Sequence, residues 1–113
     1  MARVVAFIPD LLFGSNVLGA LRAAGHDVVL VADDDALARE LPGANVLVVD
    51  LTVDAERRIG IARPPGVRTL AFYSHVEAEV RGIAEEAGFD LVVPRSRMAR
   101  EGPALVERLS AGD

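Results

Sequence analysis

Six residues that could do chemistry stand just past apolar runs of this chain: Asp10, Asp50, Ser74, Arg95, Ser96 and Arg97. Two carboxylates brought together, Asp10 and Asp50, supply hard oxygen ligands for a divalent cation such as Mg²⁺. Either alone offers an acid or a base. Ser74 and Ser96, with Arg95 and Arg97 beside them, supply hydroxyl and guanidinium donors that suit an anion near a helix start. Each residue also has a purely structural reading. Asp10 suits the cap of a first helix. Asp50 closes the apolar run from Ala44 to Val49 and suits a turn. Ser74 and Glu77 have the capping-box spacing. Arginines at a helix start are commonly just solvated. All twelve basic residues are arginine, and the chain has no lysine.

The elements that must position these residues are legible as repeated punctuation. Apolar, valine-rich runs cover residues 4–8, 28–31, 46–49, 70–73 (entered from Val67) and 91–93. They show no polar alternation, as expected of strands buried on both faces of a parallel sheet. Helical patterns lie between them. Val17, Leu18, Leu21 and Ala24 share one face and Gly25 stops that helix. Asp33–Asp35 open a second helix carrying Leu37 and Leu41, with acidic residues at the positive end of its dipole. Asp54 is placed to cap a weak third helix near residues 55–62. The pair Ser74 and Glu77 predicts the start of a fourth, with Val76, Val80, Ile83, Ala84 and Ala87 as its buried stripe. Pro103 predicts the opening of a fifth, with Leu105, Val106 and Leu109 on one face.

Strand–helix alternation five times over predicts one α/β domain over residues 1–113. The expected architecture is a three-layer α/β/α sandwich with a five-stranded parallel sheet of order 2-1-3-4-5, flavodoxin-like. Ligands of such sheets bind at the carboxyl ends of the strands. That places Asp10, Asp50 and Ser74 at one central edge, with Arg95, Ser96 and Arg97 beside them. Gly14 and Gly19 have the spacing of P-loop glycines, but Ala20 and Leu21 stand where lysine and a hydroxyl are required.

In length and strand–helix order the whole chain resembles a receiver domain of the CheY-like superfamily. The resemblance implies a phosphoacceptor at Asp50, a switch hydroxyl at Ser74 and a magnesium ion held by Asp10 and Asp50. It also implies departures. The family has an adjacent acidic pair after strand 1, where this chain has Asp10 alone. It has a lysine after strand 5, where this chain has Arg95, and a planar guanidinium does not replace an ammonium. Arg95 reaching Asp50 would neutralise it permanently and make a pseudo-receiver. The function implied is an atypical response-regulator-like signalling domain without conventional aspartyl phosphorylation. It would act on a protein partner or as a homodimer through the fourth helix, fifth strand and fifth helix.

Composition narrows the alternatives. The formal net charge of −5 argues against nucleic acid and against a membrane surface as partners. Zero cysteines exclude disulfides, thiolate zinc and iron–sulfur clusters. Pro9 and Asp10 interrupt the first apolar run too early for a signal peptide or a membrane span, so a cytoplasmic protein is expected. Two other functions stay open: a flavodoxin-like binder of an anionic small molecule at Ser74, Ser96 and the nearby arginines, and a small enzyme using Asp10 or Asp50.

Overall fold

A computed structural model describes residues 2–111. Five strands alternate with five helices: β1 (Arg3–Phe7), α1 (Leu11–Ala23), β2 (Asp27–Val31), α2 (Asp34–Glu40), β3 (Val46–Asp50), α3 (Ala55–Ile59), β4 (Arg68–Tyr73), α4 (Glu79–Glu86), β5 (Leu91–Pro94) and α5 (Arg95–Ser110). All neighbouring strands pair in parallel, in the order β2-β1-β3-β4-β5. The expected fold and strand order are therefore observed. β3 is central and buried along its whole length, which is why it reads as an unbroken apolar run.

Alternate residues of each strand face opposite layers. Val4, Ala6, Val46, Val48, Leu70, Phe72 and Val93 pack with Phe13, Val17 and Leu21 of α1 and with Met98, Leu105, Val106 and Leu109 of α5. Val5, Phe7, Leu47, Val49, Ala71, Tyr73 and Val92 face Leu37, Ile59, Val80 and Ala84 of α2, α3 and α4. Gly14 lets α1 lie close to the sheet: a Cβ there would meet the Leu30 methyls at 3.1 Å and the Ile8 carbonyl at 3.2 Å.

Local signals held at several helix ends. Asp10 caps α1 through Phe13 N–H at 3.1 Å, and Asp33 caps α2 through Ala36 N–H at 2.8 Å. Gly25 follows α1 at φ 93°, the left-handed turn that glycine accepts most readily.

Three local expectations are corrected. The Ser74–Glu77 capping box does not form. These residues make a turn, Glu77 N–H to Ser74 C=O at 2.8 Å, and α4 starts at Glu79 behind Ala78 with no side-chain cap. Of the expected buried stripe only Val80 and Ala84 are buried: Val76 and Ile83 are 76% and 53% exposed, and Ala87 is exposed as well. Asp54 occupies the cap position of α3 without a side-chain bond, at φ 52°, and that helix ends at Ile59. Finally, α5 begins at Arg95 directly after β5, leaving Pro103 in the helix interior. Proline there removes one backbone bond, a loss carried by the apolar anchors on both sides of it, Met98 and Leu105 to Leu109.

Candidate functional site at the carboxyl edge of the sheet

Asp50 ends β3 opposite Phe72 of β4 and is 3% exposed. Its Oδ1 accepts two bonds from Thr52, from the N–H at 2.8 Å and from the hydroxyl at 2.6 Å. This is the turn-forming arrangement of an aspartate bonded two residues on. The Asp50 carbonyl accepts from Arg58 Nη1 at 2.9 Å. Arg58 is only 7% exposed, and its guanidinium lies 5.2 Å from the centroid of the Phe7 ring. Its Nε is buried without a hydrogen-bond partner.

Arg58 follows from the geometry of α3. Ala55, Arg58 and Ile59 lie at i, i+3 and i+4, the spacing of one helix face. Ile59 is buried, so Arg58 turns inward beside it. Read as a sequence, Arg57–Arg58 is only a basic cluster. The inward spacing with Ile59 was the available signal. The neighbouring Arg57 turns the other way and pairs with Asp34.

Arg95 does not reach Asp50. Its Nη2 lies 3.5 Å from Asp10 Oδ2, and its guanidinium stacks 4.3 Å from the Phe13 ring centroid. Phe13 leans on Phe72, with centroids 5.1 Å apart. A continuous stack thus runs from the start of α5 through α1 to the β4 residue opposite Asp50. Position explains the partner: Asp10 and Arg95 flank the same edge of the α1/α5 layer, whereas Asp50 is turned into its own loop. The expectation that Arg95 neutralises Asp50 is corrected accordingly. A different arginine, Arg58, holds the main chain of Asp50 from the opposite side of the sheet.

Ser74, Arg95 and Ser96 do come together. With Phe13, His75 and Ala99 they line an open cavity of about 360 Å³ beyond β4 and β5. Arg97 stays outside it, its Nε 3.5 Å from Glu101 Oε1 one helical turn on. Asp50 is not part of the lining.

The donor set does not suit a magnesium ion as it stands. Asp10 spends Oδ1 on its helix cap and presents Oδ2 to a guanidinium. Asp50 spends Oδ1 on Thr52 and leaves only Oδ2 without a partner, whereas Mg²⁺ keeps several waters and demands near-octahedral oxygen ligands. Among the described residues, no group of three or more histidine, aspartate or glutamate side chains is placed to hold a metal.

No family model matches the chain, and no curated protein matches it in sequence. Solved structures do match. A response regulator from Thermotoga maritima aligns over 99% of both chains with TM-score 0.82 and 15% identity. A response regulator receiver protein from Burkholderia phymatum aligns over 98% of this chain and 96% of its own, with TM-score 0.76 and 17% identity. The receiver domain of a sensor histidine kinase from Pseudomonas aeruginosa, with magnesium in its active site cleft, aligns over 98% of each chain with TM-score 0.77 and 18% identity. Likeness this complete in backbone and this low in identity is a likeness of fold: the chain has the fold of the CheY-like receiver domains.

Proposed function

We propose that the chain is a response-regulator-like signalling domain that works through protein contacts, without conventional phosphorylation of Asp50. The observation that carries this reading is that Asp10 is engaged at both carboxylate oxygens and Asp50 at one. Asp10 is bonded to Phe13 N–H and faces Arg95, and the buried Asp50 is bonded to Thr52. The absence of lysine from the chain supports it further. A site with three of its four carboxylate oxygens committed to internal partners suits a domain that presents one surface at all times. The contact face proposed is α4–β5–α5. It combines the exposed Ile83 with the ion pairs Arg81–Glu85 and Arg97–Glu101, a mixture that suits a salt-bridged interface with a protein partner or a second copy.

The test is intact mass after incubation with Mg²⁺ and a small phosphodonor such as acetyl phosphate. The expected result is an unchanged mass. A phosphate adduct that disappears in Asp50→Asn overturns the reading. Sedimentation, with Ile83→Glu as the interface variant, tests the homodimer. A concentration-dependent dimer lost in that variant supports this face.

A second reading is favoured by the cavity of Ser74, His75, Arg95 and Ser96. Two hydroxyls, an imidazole and a guanidinium facing one space suit a small anion. None of the first-turn N–H groups of α5 is capped by the Pro94 side chain. Thermal shift with inorganic phosphate tests it. Stabilisation that grows with ligand concentration and is lost in Arg95→Ala supports an anion site, and an unchanged melting curve removes it.

A further inference from the structure

The disagreement between this site and a metal has a structural cause. A divalent cation is drawn to carboxylates that are open to solvent and carry uncompensated charge. Here the Asp10 carboxylate meets the Arg95 guanidinium, so its formal charge is balanced without any ion, while Arg58 bonds the main-chain carbonyl of Asp50 and not its carboxylate. The two guanidiniums are held differently. Arg58 is buried under the end of β3 with its Nη1 on the Asp50 carbonyl at 2.9 Å. Arg95 is half exposed and held by two separate contacts, the 3.5 Å approach to Asp10 and the 4.3 Å stack on Phe13. The ring beneath it is itself fixed against Phe72. Arg95 therefore lies at Asp10 Oδ2, the oxygen that the helix cap leaves for an ion.

We infer that Arg95 is a tethered substitute for a divalent cation at Asp10, and that its stacking on Phe13 makes the site indifferent to metal ions. The inference deepens the proposed function and rests on the reading of Asp50 as a residue in one fixed state. The guanidinium does two things a free ion does not. It cannot dissociate from the chain, so the local concentration of positive charge is constant. It also joins α5 to the start of α1, since Asp10 caps that helix. Arg58 has the complementary role of fixing the end of β3 from below.

The experiment is a titration of the full chain with manganese chloride alone, reading free Mn²⁺ by electron paramagnetic resonance. The wild type is expected to leave the free-ion signal at its buffer intensity. Arg95→Gln keeps a side-chain stem over Phe13 while removing the charge. It is expected to take up about tenfold more ion at the same concentration, because a positive charge close to the carboxylate is gone. The double variant Arg95→Gln with Asp10→Asn is expected to lose that uptake. Circular dichroism confirms that each variant is folded, and Arg95→Met serves in place of the glutamine variant if that chain fails to fold. Uptake by the wild type equal to that of the variant overturns the inference. So does a folded, uncharged variant that takes up no more than the wild type. The proposed function fails separately. Phosphate on Asp50 with no manganese uptake by the wild type removes that reading alone, and manganese uptake without any phosphate adduct removes this inference alone.

Discussion

On one side of the sheet, two helices of 13 and 16 residues lie against an apolar layer, and the charge they bring to the carboxyl edge stays at the surface. On the other side, three helices of 7, 5 and 8 residues cover the sheet, and the shortest of them buries an arginine. The α1/α5 side closes with Asp10–Arg95, an ion pair whose side chains are both about half exposed. The α2–α4 side closes with Arg58, bonded to a carbonyl and stacked near Phe7. Long helices with complete apolar faces leave charge free to sit at their ends. Short ones lack the side chains to fill the layer, and the stem of Arg58 fills it instead. An apolar groove of about 510 Å³ between α2 and residues 61–64 shows how incomplete that covering is.

The comparison breaks first at its apolar anchors. Leu21→Ala, on the α1/α5 side, is expected to cost roughly 3–4 kcal/mol in urea denaturation, because Leu21 is fully buried in the layer between α1, α5 and the sheet and its loss leaves a cavity there. A cost below that of the arginine variants would contradict this ordering of the two sides. Next is Arg58→Ala, expected to cost about 2–3 kcal/mol through the lost bond to the Asp50 carbonyl and the emptied stem. Arg58→Met sharpens the point. It keeps the stem and removes the orphaned Nε, so it is expected to recover at least half of that loss. Equal costs for both would mean that the charge itself matters more than the packing.

The surface side should respond less. Asp10→Ala is expected to cost about 1 kcal/mol, chiefly as a lost helix cap. Arg95→Ala is expected to cost under about 1 kcal/mol, since an exposed pair and one stacking contact are all it loses. A double-mutant cycle between these two positions reads their coupling. The cap should be additive and only the ion pair should couple, and that coupling should weaken with added salt.

How much of this was legible in the sequence differs between the same two sides. The strands were readable because both faces of a parallel sheet are covered, which leaves unbroken valine runs such as Val46 to Val49. α1 was readable because its periodic face meets Gly25, and α2 because Asp33 does cap it. Less was readable on the α4 side. Ser74 and Glu77 satisfy the capping-box spacing, yet the chain uses them for a turn and begins the helix a few residues later. Spacing alone cannot separate those outcomes. Val76 and Ile83 went with that error, since shifting the helix start changes which residues face the sheet. Pro103 misled for a related reason: proline favours a helix start, but tertiary packing can hold it inside a long helix.

At the site, the positions of Asp10, Asp50, Ser74 and Ser96 along the carboxyl edge followed from strand order alone. Their partners did not. Which carboxylate Arg95 meets depends on a few ångströms across α1 and α5, and sequence separation carries no such distance. Arg58 was missed because an arginine is ordinarily read as solvated, and its burial depends on the shortness of α3.

The most direct test of the account is an amide spectrum of ¹⁵N-labelled protein, recorded before and after adding Mg²⁺ with a small phosphodonor. The central claim is that Asp10 and Asp50 are already engaged from within, Asp10 by the Phe13 N–H and Arg95 and Asp50 by Thr52. It predicts that the Phe13 and Thr52 amides, each bonded to one of these carboxylates, stay where they are. Movement of both together, abolished in Asp50→Asn, would contradict it.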